Sequence, residues 1–364
     1  MIPFLDLKAD YFVIKDEINA AITRQLESGI YILGETVDEF ENLYSEYVGS
    51  KFCIGVGNGL DALTLSLTAL GIGPGDEVIV PANTYIATWL AVTAVGANPV
   101  PVEPDLVTYC LDPLQIEKSI SRRTRAIIPV HLYGHPVKID EISEICKKYE
   151  LKIIFDAAQS HGALYKDQQI GKFGNAVAWS FYPGKNLGAY GDAGAITTND
   201  RDLADRLKKI RNYGSSKKYY NDYKGVNSRL DPIQACVLIV KLKYLAKYNQ
   251  TRSKIASKYN DAFRALPLIC PTESGEVLHC WHQYVIRTPL REALIRHLNG
   301  HGIQTLIHYP VPPYLQQAYR ELGINGSDFP LSTKLADEVL SLPIDPRLED
   351  AQVDEVIAKV QGFF

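Results

Sequence analysis

The chain has little of what several protein classes require. Its six cysteines, Cys53, Cys110, Cys146, Cys236, Cys270 and Cys280, form no C-x-x-C pair. Their spacings suit neither a zinc site nor a small disulfide scaffold, so buried thiols in a reducing compartment are expected. Basic residues do not outnumber acidic ones: 38 against 42 leave a net charge of −4. No basic stripe stands out. The short clusters Arg122-Arg123 with Arg125, and Lys208-Lys209 with Arg211, read as solvated faces, and no nucleic-acid partner is expected. No apolar run approaches the ~20 residues of a membrane helix. The start, Met1-Ile2-Pro3-Phe4-Leu5-Asp6, lacks the charged and apolar regions of a signal peptide. A cytoplasmic protein that neither spans nor binds a membrane is the expectation. Internal repeats and low-complexity segments are also missing.

What is present is an ordinary globular composition, 46% hydrophobic and 22% charged over 364 residues. That length exceeds what one core comfortably supports, so two unequal domains are expected, 1–247 and 248–364. Amphipathic helices are expected at about Asp16 to Ser28 and Thr36 to Tyr47. Short apolar runs then read as strands: Asp76 to Val80, Asn98 to Val102, Arg125 to Leu132, Lys152 to Phe155, Ala176 to Phe181 and Gly194 to Thr198. Helical patterns lie between them. In Ile139 to Tyr149, residues Ile139, Ile142, Ile145, Cys146 and Tyr149 share one face. Strands alternating with helices imply an α/β domain around a mostly parallel sheet. A long helical pattern covers Asp231 to Leu245, with a domain change near Tyr248. A strand at Gln283 to Arg287 and helices at Arg291 to Gly300 and Glu349 to Val360 suggest a smaller α+β domain.

Four segments carry chemistry. In I-I-F-D-A-A-Q-S-H-G, Ile153 to Gly162, an apolar strand delivers Asp156 at its carboxyl end, where α/β folds gather ligands. Two readings fit. Asp156 caps a following helix, or its carboxylate serves a cationic ring nitrogen. Pyridoxal 5′-phosphate (PLP) needs such a partner, because the protonated pyridine draws electrons from a carbanion. In W-S-F-Y-P-G-K-N-L-G-A-Y-G-D-A-G-A, Trp179 to Ala195, Lys185 lies in a glycine-rich, aromatic stretch. A lysine beside glycine is often a surface residue. A desolvated one has a lowered pKa and a neutral amine able to form an imine. The glycines here are not spaced as a Walker A loop. In G-V-G-N-G-L-D-A-L-T-L-S-L, Gly55 to Leu67, a glycine-rich turn opens into a helix. Its free N–H groups suit a phosphate, and a plain turn before a core helix fits equally; the dinucleotide pattern fails at Leu60. In P-A-N-T-Y-I-A-T, Pro81 to Thr88, Tyr85 either stacks on a flat cofactor or packs in the core.

Together the four segments resemble the DegT/DnrJ/EryC1/StrS family of sugar aminotransferases. The resemblance runs nearly end to end. It includes P-F-L-D-L-K at Pro3, Y-I-L-G at Tyr31, D-E-V-I-V-P at Asp76, H-L-Y-G at His131, G-x-N-S-R-L at Gly225, H-Y-P at His308 and S-L-P-I-D-P at Ser341. It implies the aspartate-aminotransferase-like fold type I, an α/β large domain with a small α+β C-terminal domain. It also implies a homodimer with shared active sites. Lys185 matches the lysine that forms a Schiff base with PLP, and Asp156 the partner of the pyridine nitrogen. Gln159 matches the residue near the ring hydroxyl, Ser180 a phosphate ligand, and Gly59, Leu60 and Asp61 the phosphate-binding turn. Many members have Thr where Leu60 stands, so backbone amides must serve there. Tyr85 matches the aromatic stacked on the ring. Asn227 matches the asparagine that reaches the phosphate from the neighbouring subunit.

The resemblance implies a ping-pong transamination in which glutamate donates its amine to a nucleotide-linked keto-sugar and 2-oxoglutarate is released. The stretch F-Y-P-G-K-N-L-G-A-x-G-D-x-G is similar to that of enzymes aminating C3 of dTDP-3-oxo-6-deoxyhexoses. Tyr182 and Asp192 favour C3 over the alternative, C4 of a 4-keto-6-deoxy sugar. His308 and Tyr309 are candidates for the sugar or diphosphate, or pack beside Pro310. The stretch Tyr213 to Tyr223 reads as a loop over the nucleotide or as a plain solvated loop. Two other readings are a PLP-dependent sugar dehydratase and a non-catalytic nucleotide-sugar-binding module. The dehydratases replace the lysine with histidine, and Lys185 argues against them.

Overall fold

The computed structural model describes residues 1–273 and 276–364. Nine strands occupy its first two hundred residues. They are β1 (Phe52–Val56), β2 (Glu77–Pro81), β3 (Asn98–Val102), β4 (Thr124–Ile127), β5 (Lys152–Asp156), β6 (Leu164–Tyr165), β7 (Gln168–Gln169), β8 (Ala176–Ser180) and β9 (Gly194–Thr198). Seven of them form one sheet in the order β1-β9-β8-β5-β4-β2-β3. β3, β2, β4, β5 and β8 run parallel. β9 runs antiparallel to both its neighbours. This is the expected α/β architecture, and it gathers the carboxyl ends of β1, β2, β5 and β8 along one edge.

Alternation along the strands feeds two apolar layers. Ile79, Ile127, Phe155 and Val177 enter one. Val78, Val80, Ala126, Ile154, Ala176 and Ala178 enter the other. The helices Glu35–Val48 and Ile139–Lys148 cover the first layer, while Gly59–Ala69, Ile86–Ala94 and Arg201–Ile210 cover the second. Ile139, Ile142 and Cys146 are buried as their spacing predicts, but Tyr149 is exposed. A strand covered on both faces reads as a mostly apolar run rather than an alternation, as in β2 and β9, each wholly buried, with Glu77, Thr197 and Thr198 as the polar exceptions at their ends.

Three boundaries differ from the sequence expectations. The run Arg125 to Leu132 pairs as a strand only through Ile127, because Pro129 has no N–H to continue a ladder. The first helix begins at Leu7 rather than near Asp16, with Asp6 Oδ1 accepting from Ala9 N–H at 2.9 Å. The long helix does not stop near Leu245 but spans Pro232–Phe263. No glycine or proline interrupts it, and Ile255, Ala256, Tyr259 and Phe263 continue its apolar face into the C-terminal cluster. The expected division at 247/248 therefore falls inside one helix, and Ile2 also packs in the C-terminal cluster. There Tyr284–Arg287 pairs antiparallel with Val339–Leu342, flanked by helices Arg291–Gly300 and Asp350–Gln361. Among the described residues, no helix is long and apolar enough to cross a membrane.

Candidate active site

β5 ends on Asp156, which is 6% exposed. No helix follows it, so the capping reading does not apply. One carboxylate oxygen accepts from Ala158 N–H at 3.1 Å, and the other from the Thr88 hydroxyl at 2.9 Å. Thr88 in turn lies 3.0 Å from the Thr84 hydroxyl, one helical turn earlier. Burial raises the Asp156 pKa, while these two hydrogen bonds and the Lys185 charge oppose that rise. Thr88 lies in a segment singled out by sequence, yet its role was not legible there. The clue is the i, i+4 spacing of Thr84 and Thr88 at a helix start.

Lys185 sits in the loop between β8 and β9. Lys185 is half-buried, and desolvation lowers its pKa to about 8, partly offset by the Asp156 charge. Desolvation disfavours a cation, so this amine reaches the neutral, nucleophilic form near physiological pH. His308 is held neutral beside it, its pKa lowered to about 4 by burial and then by Lys185. His161 behaves alike, with its pKa lowered to about 3.

The third component is the turn after β1. Asn58 caps the helix Gly59–Ala69, its side chain accepting from Asp61 N–H at 2.8 Å. The N–H groups of Gly59 and Leu60 find no acceptor among the described residues, as expected for a helix N-terminus. A Cβ at Gly59 would lie 2.6 Å from Ser180 Cβ. Only glycine lets the turn approach the end of β8, and that approach puts the Ser180 hydroxyl beside the free amides. Ser228 completes the turn: it accepts from Gly57 N–H at 3.0 Å and donates to Asp61 Oδ2 at 2.6 Å. Behind it, buried Glu41 accepts from Gly55 N–H at 2.7 Å and pairs with Arg211. Arg211 was read as part of a solvated face. It is 6% exposed, because it also donates to the Gly55 carbonyl at 2.6 Å and so anchors the strand before the turn.

Gln159 joins two further motifs. Its amide oxygen accepts from Tyr133 N–H at 2.6 Å, and its amide nitrogen donates to the Tyr309 hydroxyl at 3.0 Å. The Tyr133 hydroxyl donates to the His308 carbonyl, and the His308 ring meets Ser341 Oγ at 2.8 Å. Tyr85 does not pack in the core. It is 55% exposed, with its ring 5.2 Å from that of Tyr309. Tyr182 is also exposed. Asn227 is exposed and next to Ser228, and its side chain is not drawn into the cluster around Lys185. The Tyr213 to Tyr223 stretch forms a small exposed hairpin of Ser215–Lys217 with Tyr220–Asn221.

A desolvated amine, a buried carboxylate and a helix N-terminus with free amides together define a site for a phosphorylated cofactor that carries a carbonyl and a basic ring. Sequence comparison agrees: residues 13–361 match the model of the DegT/DnrJ/EryC1/StrS aminotransferase family, and the chain belongs to that family. It is 52% identical to the dTDP-3-amino-3,6-dideoxy-alpha-D-galactopyranose transaminase of Aneurinibacillus thermoaerophilus, over 100% of this chain and 99% of that one. It is 49% identical to the dTDP-3-amino-3,4,6-trideoxy-alpha-D-glucose transaminase of Streptomyces venezuelae, over 99% and 95%. The crystal structure of S. venezuelae DesV in complex with a ketimine intermediate superposes with a TM-score of 0.98 at 48% identity, covering 100% of this chain and 98% of that one. The chain is a PLP-dependent aminotransferase of fold type I. Solved neighbours hold that cofactor in its PLP or PMP form, and the residues here fit it.

Proposed function

We propose that this enzyme transfers the amine of L-glutamate to C3 of a dTDP-3-oxo-6-deoxyhexose, giving a dTDP-3-amino-3,6-dideoxyhexose and 2-oxoglutarate. The observation that carries the reading is the half-buried Lys185, its pKa lowered by desolvation, near the buried Asp156 carboxylate at the end of β5. The two relatives whose names specify 3-amino sugars support the choice of C3.

When bound, PLP supplies the electron sink that stabilises negative charge on the carbon losing a proton. The chain supplies everything else. Lys185 would hold the cofactor covalently and, once released as a free amine, would serve as the base and acid that moves a proton. A pKa of about 8 suits both directions of that transfer near neutral pH. Asp156, its carboxylate oriented by Thr88 and by Ala158 N–H, would pair with the ring nitrogen. Gly59 and Leu60 offer amides, and Ser180 a hydroxyl, to the phosphate, with Asp61 closing the turn through Ser228. Gln159 would serve the ring hydroxyl, and Tyr85 would cover the ring face. Tyr182, His308 and Tyr309 face the sugar nucleotide. The active unit is a homodimer in which Asn227 serves the neighbouring subunit's phosphate. Six free cysteines, five of them buried, fit a cytoplasmic enzyme.

The test offers glutamate together with dTDP-3-oxo-6-deoxyhexoses of galacto and gluco configuration and with a 4-oxo sugar, and identifies products by NMR. Amination at C3 is expected. Amination at C4 alone would overturn the regiochemistry and leave the class intact. Lys185→Ala should abolish turnover, and normal turnover in that variant would overturn the class assignment to this lysine.

A further inference from the structure

Lys185 is carried by a loop that leaves β8 and returns into β9 without helix or strand of its own. Three backbone hydrogen bonds shape the loop. Phe181 N–H donates to Ala193 O, Ala189 N–H to Phe181 O, and Lys185 N–H to Tyr182 O within a local turn, all at 2.8 Å. Beyond these bonds the path of the loop depends on side chains, and three of them come from one helix, Pro232–Phe263. Gln234 Oε1 accepts from Tyr190 N–H at 2.8 Å. Lys241 Nζ donates to Gly188 O at 2.9 Å. Asn249 Oδ1 accepts from Asn186 Nδ2 at 2.9 Å. Successive members are about two helical turns apart, so they share one face of the helix. They engage the loop in reverse order at alternate residues, 190, 188 and 186, up to the neighbour of Lys185.

The central member is the informative one. Lys241 is 7% exposed, and a hydrocarbon side chain would bury there without the desolvation cost of a charge. Its charge is balanced by Asp10 Oδ2 at 2.7 Å, and Asp10 in turn pairs with Arg347 at 2.9 Å. The stripe thus fixes the loop not only to its own helix but to the N-terminal helix and the C-terminal segment. Close approach on the loop side is secured by Gly191, where a Cβ would lie 2.9 Å from Gln234 Nε2.

We infer that Gln234, Lys241 and Asn249 form a positioning register for the Lys185 loop, setting where the Lys185 amine sits relative to Asp156. They are positioning residues: each acts through the loop. The inference rests on the assignment of Lys185 as the cofactor-binding lysine. It predicts that loosening the register slows covalent capture of PLP and the proton-transfer steps, with little effect on donor binding.

The experiment uses the full-length protein stripped of cofactor, with Lys241→Met, Lys241→Arg, Gln234→Met and Gln234→Glu as variants. PLP is added, and the growth of the yellow lysine-bound chromophore is followed by stopped flow. The pH midpoint of that chromophore, kcat and the KM for glutamate are then measured. Loss of one positioning hydrogen bond should slow capture and lower kcat by roughly 10-fold in Lys241→Met and Gln234→Met, with KM nearly unchanged. Gln234→Glu keeps an oxygen that accepts from Tyr190 and should restore the rate; Lys241→Arg should restore it in part. Wild-type capture rates and chromophore midpoints in both methionine variants would overturn the inference. So would slowed capture that merely follows a lower melting temperature and is not restored in Gln234→Glu. If the wild-type protein forms no chromophore, or Lys185→Ala forms it normally, the Lys185 assignment itself fails. If the wild type forms it through Lys185 and the variants match its kinetics, only the register fails.

Discussion

In the cofactor-free protein Lys185 should lower stability in a way that depends on pH with a definite sign. Its pKa lies at about 8, against an ordinary 10.5, because burial disfavours its charge more than Asp156 favours it. At about 1.4 kcal/mol per pKa unit, that difference corresponds to a ceiling of about 3 kcal/mol. The folded pKa is depressed, so the unfolded chain binds more protons between pH 8 and 10.5, and stability must rise with pH across that window. Below pH 8 the lysine is charged in both states and the folded state carries the full cost. Lys185→Met should therefore stabilise the cofactor-free protein at pH 7, by at most about 3 kcal/mol, less what Asp156 loses with its cationic neighbour. The advantage should fade as pH rises through the window. Urea unfolding of both proteins at several pH values, extrapolated linearly to water, measures this directly. A methionine variant no more stable than wild type at pH 7, or an advantage that grows with pH, would refute the reasoning. The same amine can be titrated chemically. Labelling of Lys185 by an amine-specific reagent should show a midpoint near pH 8, and a midpoint near 10.5 would contradict the burial argument.

Three further perturbations follow from the geometry. Thr88→Val removes the hydroxyl that donates to Asp156, so the Asp156 pKa should rise further and kcat should fall by about 10- to 100-fold, the worth of one hydrogen bond to a charged group. An unchanged kcat would show that Ala158 N–H alone orients the carboxylate. Gly59→Ala forces a Cβ to within 2.6 Å of Ser180 Cβ and should weaken PLP binding, measured by equilibrium titration, while glutamate kinetics at saturating cofactor change less. Arg211→Met leaves Glu41 buried without its cation. It should lower unfolding stability by about 3–5 kcal/mol and loosen PLP binding through the turn after β1, both read by denaturation with and without cofactor.

Much of the fold was legible because each layer has its own period. β3 and β9 end where the sequence reading ends them, since turn residues and a strand's length coincide there. The run ending at Leu132 was read too long because periodicity outweighed Pro129. The long helix was read too short because its apolar face changes partner near Leu245: before it the helix packs on the sheet domain, after it on the C-terminal cluster. A change of partner looks like an end of pattern when only one face is scored.

The site divides in the same way. Lys185, Asp156, Gln159, Ser180 and the turn at Gly59 could be picked out as candidates from sequence because each lies at a strand end or in a turn with a fixed local form, within motifs held in a fixed order. Chemistry that a single segment carries can be read from that segment. What surrounds those residues could not. Whether Lys185 is a surface lysine or a desolvated amine depends on the groups packed around it, some of them distant in the chain, such as His308. Thr88 meets Asp156 across two strands of the sheet, and Ser228 meets Asp61 across most of the domain. Arg211 looked solvated because its charge neighbours in sequence are exposed, while its partner Glu41 is supplied from a distant helix. Burial and pairing between remote residues set the ionisation of a group, and neither is a property of local sequence. The sequence alone therefore determined the family and singled out Lys185 as the candidate reactive lysine. Tertiary structure decided that its amine is desolvated, what opposes it, and which side chains of one long helix hold its loop in place.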